Sequence, residues 1–203
     1  MRPLLFVKSF VYFRRMYLKV VKPIFDFILS FFGLLLSIPF LILIWILLLW
    51  IHKSNPIFFQ KRVGQFGEYF IVYKFKTIKE NGQSHSFLKL LRKTKIDELP
   101  QLFNVLKGKM SLVGPRPDIP GYYDKLKGDD RLILQLKPGI TGYASLKFVN
   151  EEKLLAQQED PISYNDTVLF PQKVKLNLEY YREVSFATDL KILFKTILLP
   201  FYY

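Results

Sequence analysis

The sequence predicts an α+β protein, mostly helical, with a re-entrant broken membrane helix and a small cytoplasmic domain that holds a short β-hairpin and interfacial amphipathic helices. Three observations predict it. Phe27 to Ile51 is a run of 25 uncharged residues with Pro39 near its centre. Two β-rich segments flank Gly64 and Gly67. Most of the remaining chain carries apolar residues at helical spacing.

The 203 residues support one domain with accessory elements. No cysteine is present, which excludes disulfides, Cys-zinc sites and thiol nucleophiles and fits a reducing cytoplasm. His52 and His85 are too few and too scattered for a histidine metal site. A formal charge of +13 calls for a polyanionic partner: nucleic acid, anionic lipid or a phosphorylated substrate.

Residues 1–22 carry Arg2, Lys8, Arg14, Arg15, Lys19 and Lys22 and no acid. At helical spacing Lys8, Arg15, Lys19 and Lys22 share a face, beside an aromatic stripe of Phe6, Phe10, Phe13 and Tyr17. A basic, aromatic amphipathic helix next to an apolar run reads as attachment to anionic membrane lipids. A nucleic-acid arm is the competing reading, and none is expected to bind here.

Residues 23–52 are long enough to cross a bilayer at roughly 20 residues per span. The run is too long for a signal peptide and lacks a small-residue cleavage site. Against simple spanning, basic residues flank both ends: Lys19 and Lys22 before, Lys53, Lys61 and Arg62 after. Pro39 also removes a ladder hydrogen bond at mid-depth, and the Ser37 hydroxyl can satisfy a freed carbonyl. A helix broken there can turn back and leave both ends on one face.

Residues 53–203 form the cytoplasmic body. Segments 56–64 and 69–77 read as a hairpin. Residues 78–86 are turn-like, and a helix runs from Phe87 toward Lys95. Residues 118–136 are expected to be mostly helical, with a charged patch from Lys125 to Arg131. Helices are also expected at 150–160 and 171–183, separated by a loop at 161–166. Asp189 to Leu199 is amphipathic, suited either to the membrane interface or to core packing.

The most informative stretch is Asp97-Glu98-Leu99-Pro100-Gln101-Leu102-Phe103-Asn104-Val105-Leu106-Lys107-Gly108, continuing to Val113-Gly114-Pro115-Arg116-Pro117. Pro100 can open a short helix and Gly108 can end it, with Leu102, Phe103 and Leu106 as the buried face. The two carboxylates then sit just ahead of a helix N-terminus. Flanking prolines restrict Arg116, whose planar guanidinium suits a phosphate. Carboxylates beside such an arginine suggest phosphoryl chemistry.

This string, followed by Pro138-Gly139-Ile140-Thr141-Gly142, resembles the bacterial sugar transferase family, the monotopic phosphoglycosyl transferases, from about residue 24 to 196. The resemblance implies an enzyme on the cytoplasmic face of the bacterial inner membrane. It would move a sugar-1-phosphate from a UDP-sugar to polyprenyl phosphate, releasing UMP through a covalent phosphosugar-aspartate, in glycoconjugate or polysaccharide assembly. By the same resemblance Asp97 is the nucleophile, Glu98 its acidic neighbour, and Lys74 and Arg116 are phosphate binders. Mg²⁺ is the expected cofactor, on Asp97 and Glu98, since hard oxygen ligands and a diphosphate suit it. Adjacent side chains on a regular helix diverge by about 100 degrees, so convergence of both carboxylates requires an irregular turn. Asp189 is a candidate for site support or, alternatively, a helix N-cap.

Two departures from the family stand out. Its re-entrant helix commonly has serine directly before proline, whereas here Ser37-Ile38-Pro39 spaces the pair. Many relatives continue after the Pro-Gly-Ile-Thr-Gly motif to an asparagine-glycine-arginine-asparagine segment. Here Tyr143 to Asn150 contains no arginine, and Lys147 is the candidate substitute. A membrane-anchored scaffold without catalysis remains the alternative and would explain only the helix and the charge.

Overall fold

The computed structural model describes residues 12–79 and 85–199. The predicted basic face therefore lies partly outside the described residues (Arg2, Phe6, Lys8, Phe10), as does part of the turn expected at 78–86. Helix begins by Tyr12, passes through a π-helical turn, Tyr17–Val21, and continues as α1, Lys22–His52. Pro39 lies inside α1, so the break expected at Ser37–Pro39 does not form: the helix runs on to His52, held by one buried stripe that continues on both sides of the proline. The Ser37 hydroxyl donates to the Leu34 carbonyl at 3.2 Å, not to the Leu35 carbonyl that Pro39 leaves without an amide partner.

One stripe of α1 is buried: Lys22, Asp26, Ser30, Leu34, Leu41, Ile44 and Leu48. Spacings of three, four and seven keep these side chains on a single face across Pro39. The other faces expose Phe27, Phe31, Leu35, Leu36, Ile42 and Trp50. The N-terminal half of the stripe is polar. The Leu112 amide donates to Asp26 Oδ1 at 3.1 Å, while Lys22 and the Tyr17 hydroxyl both reach Asp189 Oδ2 at 2.5 Å. Lys22 and Tyr17 were expected on the exposed basic and aromatic faces; instead they are buried, because Asp189 waits beneath them as a fully enclosed carboxylate. The C-terminal half is apolar and packs Leu34, Leu41, Ile44 and Leu48 against Phe75, Leu88 and Leu91. Each such side chain contributes about 1.5–3 kcal/mol on full burial.

Strands β1, Ile57–Val63, and β2, Tyr69–Phe75, pair antiparallel with Gln60 opposite Val72 and Phe58 opposite Lys74, as the turn signals predicted. Helix α2, Ser86–Lys93, is capped by His85, whose Nδ1 accepts the Phe87 amide. A 3₁₀ turn, Ile96–Glu98, leads into α3, Gln101–Leu106. The buried face of α3 differs from expectation: Gln101, Asn104 and Val105 are buried, and Phe103 is 47% exposed. The cause is Asn104, whose amide accepts from the Tyr73 amide at 3.1 Å and donates to the Ile71 carbonyl at 2.6 Å, docking α3 polar-face-first on the edge of β2.

Strands β3, Ser111–Val113, and β4, Gly139–Thr141, form a short parallel pair that the sequence pattern did not predict. Between them, residues 118–136 hold two 3₁₀ segments, Tyr123–Lys125 and Gly128–Gln135, rather than α-helix. Pro117, Pro120 and the left-handed Gly128 (φ 55°) interrupt the α ladder there. Short helices α4, Tyr143–Lys147, and α5, Glu151–Ala156, follow. The expected loop at 161–166 is helical: α6, Pro161–Tyr164, capped by Asp160, runs through a π turn, Asn165–Leu169, into α7, Phe170–Glu183. Helix α8, Phe186–Leu198, is capped by Ser185, so Asp189 lies inside the helix and is not its N-cap. It buries Asp189 and Ile192 and exposes Phe186, Leu190, Phe194 and Ile197 as one apolar stripe.

Candidate active site

The turn that carries the two carboxylates is irregular, as their convergence requires. Lys95 adopts a left-handed conformation (φ 59°) and the 3₁₀ turn places Asp97 and Glu98 under the start of α3. Both are buried, each 6% exposed. Opposite them, the β3–β4 pair locks the loop that presents Arg116. The Gly114 amide donates to the Thr141 carbonyl at 2.9 Å and the Gly139 amide to the Pro115 carbonyl at 2.8 Å. The approach is so close that a Cβ on Gly139 would lie 2.1 Å from the Gly114 nitrogen. That contact is the physical reason for glycine in both motifs.

Arg116 forks Glu98, with Nη2 to Oε1 at 2.6 Å and Nη1 to Oε2 at 3.3 Å, and Lys74 from β2 adds a bond to Oε1 at 3.2 Å. Burial opposes ionisation of Glu98, but Arg116 and Lys74 outweigh it and hold this carboxyl far below the usual range. Asp97 behaves oppositely: burial, and then the neighbouring Glu98 charge, push its pKa up to about 6. Its Oδ1 is buried with no hydrogen-bond partner among the described residues. Two adjacent carboxylates thus hold different electrostatic states. One is a neutralised anchor for cations; the other is a desolvated, basic oxygen without a partner.

Arg116 keeps 38% of its side chain exposed while both Nη atoms bond Glu98. Sequence reasoning missed further charges nearby. Arg62, on the same face of the hairpin as Lys74, donates to the Pro117 carbonyl at 3.3 Å and lies 4.0 Å from Asp118. Lys173 pairs with Glu151 at 2.7 Å. The only signal for Arg62 was its two-residue alternation with Gln60. Lys147 is exposed at the end of α4 and makes no ion pair with this cluster among the described residues. Asp189 is also not part of it. Its carboxylate is consumed by Tyr17, Lys22 and Tyr180, whose hydroxyl donates to Oδ1 at 2.6 Å, so Asp189 ties α8 to α1.

An apolar groove of about 400 Å³ opens between α1 (Ile38, Leu41, Ile42, Trp45), the hairpin face of Ile57, Phe59, Tyr73 and Phe75, opposite the face that carries Lys74, and α3 (Pro100, Phe103). Pro100 is two residues from Glu98. Lys107 stands in this lining and its ammonium donates to the Tyr73 hydroxyl at 3.0 Å.

The carboxylate dyad and forked arginine lie on the same chain as a helix long and apolar enough to cross a membrane. The sequence profile described as bacterial sugar transferase matches residues 17–202, and the chain belongs to that family. It is 34% identical over 190 residues to "Uncharacterized sugar transferase EpsL" of Bacillus subtilis, covering 88% of this chain and 86% of that one. It is 35% identical over 195 residues to a Klebsiella pneumoniae protein named "UDP-glucose:undecaprenyl-phosphate glucose-1-phosphate transferase", covering 88% of this chain and 39% of that one. Similarity to "Undecaprenyl-phosphate galactose phosphotransferase" of Salmonella typhimurium is 30% over 207 residues, covering 88% and 40%. The chain therefore spans well under half the length of these two relatives.

Proposed function

We propose that this protein transfers a sugar-1-phosphate from a UDP-sugar to a polyprenyl phosphate at the cytoplasmic face of the membrane, with Asp97 as nucleophile. The observation that carries the reading is the split dyad: Asp97 Oδ1 is desolvated and unpartnered while Glu98 is fixed by Arg116 and Lys74. In the first displacement Asp97 Oδ1 forms a bond to the sugar-bearing phosphorus as its bond to UMP breaks. In the second, an acceptor phosphate oxygen attacks that phosphorus and Asp97 leaves as a free carboxylate. No net proton is needed, and the electron pair that forms the acyl phosphate is returned to Asp97. Arg116 and Lys74 lie where charge develops on the phosphoryl oxygens.

Glu98 carries both the Arg116 fork and the 3.2 Å bond to Lys74 and would have to loosen part of that set to share a hard cation, and Asp97, whose Oδ1 is the nucleophile, would offer such a cation its other carboxylate oxygen. Mg²⁺ held by Asp97 and Glu98, with remaining ligands from phosphate and water, would neutralise diphosphate charge. The groove lined by Ile38, Trp45 and Phe103 suits an isoprenoid chain, and Pro100, two residues along the chain from Glu98, is part of its wall.

The packing of α1 supports a re-entrant, monotopic arrangement. Side chains from Lys22 to Leu48, on both sides of Pro39, rest on the same globular body. A helix perpendicular to the membrane would hold only one end against such a body. The exposed apolar stripe of α8 would lie in the same interface. The test is UMP release from a panel of UDP-sugars by the whole protein in nanodiscs with undecaprenyl phosphate. Donor-dependent UMP release and a phosphosugar adduct on the wild type, absent in Asp97→Asn, are the expected results. Turnover by Asp97→Asn equal to wild type would overturn the covalent reading.

A further inference from the structure

Behind Arg116 the chain builds a second set of charges that the two carboxylates at 97 and 98 do not use. Helix α7 packs one face against the loop that follows Arg116. Phe170 meets the Tyr122 and Tyr123 rings at 5.0 and 5.6 Å, and Asn177 Nδ2 donates to the Tyr123 hydroxyl at 2.7 Å. Lys173 stands between those contacts on the same face. Its ammonium is held by Glu151 Oε1 at 2.7 Å, with the two side chains 13% and 29% exposed. Glu151 also adds to the field at Arg116, and Lys173 and Arg62 both act on Asp118. Lys74 and Arg116 share Glu98, Arg62 lies 4.0 Å from Asp118 and Lys173 pairs with Glu151, so each of these four cations is engaged by a carboxylate of the protein itself, and the packing of α7 on Tyr122 and Tyr123 brings Lys173 to the loop that follows Arg116.

A donor with two phosphates needs cations on both. Those gathered at Glu98 would serve the phosphate that Asp97 attacks, which leaves the neighbouring phosphate in need of a cation of its own. Glu151 is the first residue of α5, which buries none of its residues. Its ties to the body include two ion pairs, Glu151 with Lys173 and Glu152 with Arg92, the second largely exposed. Lys173 is mostly enclosed, so its ammonium can leave Glu151 only where another anion, such as a phosphate, takes that place.

We propose that Lys173 is the cation for the nucleotide-side phosphate of the donor, and that Glu151 occupies its ammonium until the donor displaces it. The proposal rests on the transferase reading above. Donor binding breaks the Lys173–Glu151 pair and replaces it with an ammonium–phosphate pair, with no covalent change.

The consequence is a pair of effects of opposite sign. With the whole protein in nanodiscs and UDP as probe, Lys173→Ala should weaken binding by about tenfold or more, the loss of one charge-assisted bond. Glu151→Gln removes the competitor and should tighten UDP by a few-fold, and the KM for the UDP-sugar should move in the same directions. Lys173→Arg, which keeps the cation and covers the case in which alanine fails to fold, should bind UDP better than alanine. A merely structural pair predicts the reverse for Glu151: either substitution would lower the Tm and leave UDP affinity unchanged or weakened. Equal-sign or absent effects on UDP binding would overturn the proposal. Wild type that turns over but shows equal signs sinks only this subsite; wild type that releases no UMP yet shows opposite signs sinks only the transferase reading.

Discussion

Replacing Asp97 by asparagine should abolish turnover and at the same time stabilise the protein, by an amount that depends on pH. The native carboxyl is pushed from its ordinary 3.8 up to about 6, by burial first and Glu98 second. Two units correspond to about 3 kcal/mol by which the ionised form is disfavoured in the fold. The sign follows from the direction of the shift. Folding binds the proton more tightly, so the cost is fully present above pH 6 and fades as pH falls from 6 toward 3.8. Asparagine carries no charge and escapes that cost, though an unpaired amide in the same buried position costs about 1 kcal/mol. The net gain is about 2 kcal/mol at pH 7.5, or about 4–8 °C in Tm for a chain of this size. At pH 4 the gain should vanish. Thermal unfolding of wild type and variant in nanodiscs at both pH values, with UMP release measured on the same samples, gives the answer. A variant that is less stable than wild type at pH 7.5, or equally stabilised at both pH values, would refute the desolvated-nucleophile argument.

Three further outcomes follow from the same geometry. Arg116→Lys keeps charge but loses the fork on Glu98, and losing one charged hydrogen bond, about 1.5–3 kcal/mol, should lower kcat/KM roughly ten- to hundredfold; a change below about twofold would return Arg116 to a surface role. Gly139→Ala places a methyl 2.1 Å from the Gly114 nitrogen, so the β3–β4 contact must open, with a Tm fall of several degrees and loss of activity together; normal Tm would show the strand pair to be dispensable. Single cysteines at Arg15 and Lys61, in a chain without its own, should both label from the cytoplasmic side of intact cells, and labelling from opposite sides would reject the re-entrant reading.

The hairpin, the helix after His85, the irregular turn at the carboxylates and the long apolar helix were legible because each depends on neighbours within a few residues. Glycine and proline set the turns, and periodicity set the strand and helix faces. Residues 161–169 misled because Pro161 and Asp160 look like a loop, yet an N-cap and a proline at the first position also begin a helix. Likewise Phe103 reads as core by periodicity. Asn104 overrides it by pairing with the edge of β2, an edge that exists only after folding.

The sequence by itself determined the family, the carboxylate pair, the arginine between two prolines and an apolar segment suited to a membrane. Those are properties of residue type and local order. Tertiary structure alone decided that Lys74 and Arg116 converge on Glu98 and leave Asp97 unpaired, because that division depends on which side chains meet across strands and loops. It also decided that Asp189, 167 residues from Lys22, bonds Lys22, Tyr17 and Tyr180 and so ties α8 to α1. Charge pairing in a buried place is set by distance in space and by desolvation, and neither is written along the chain.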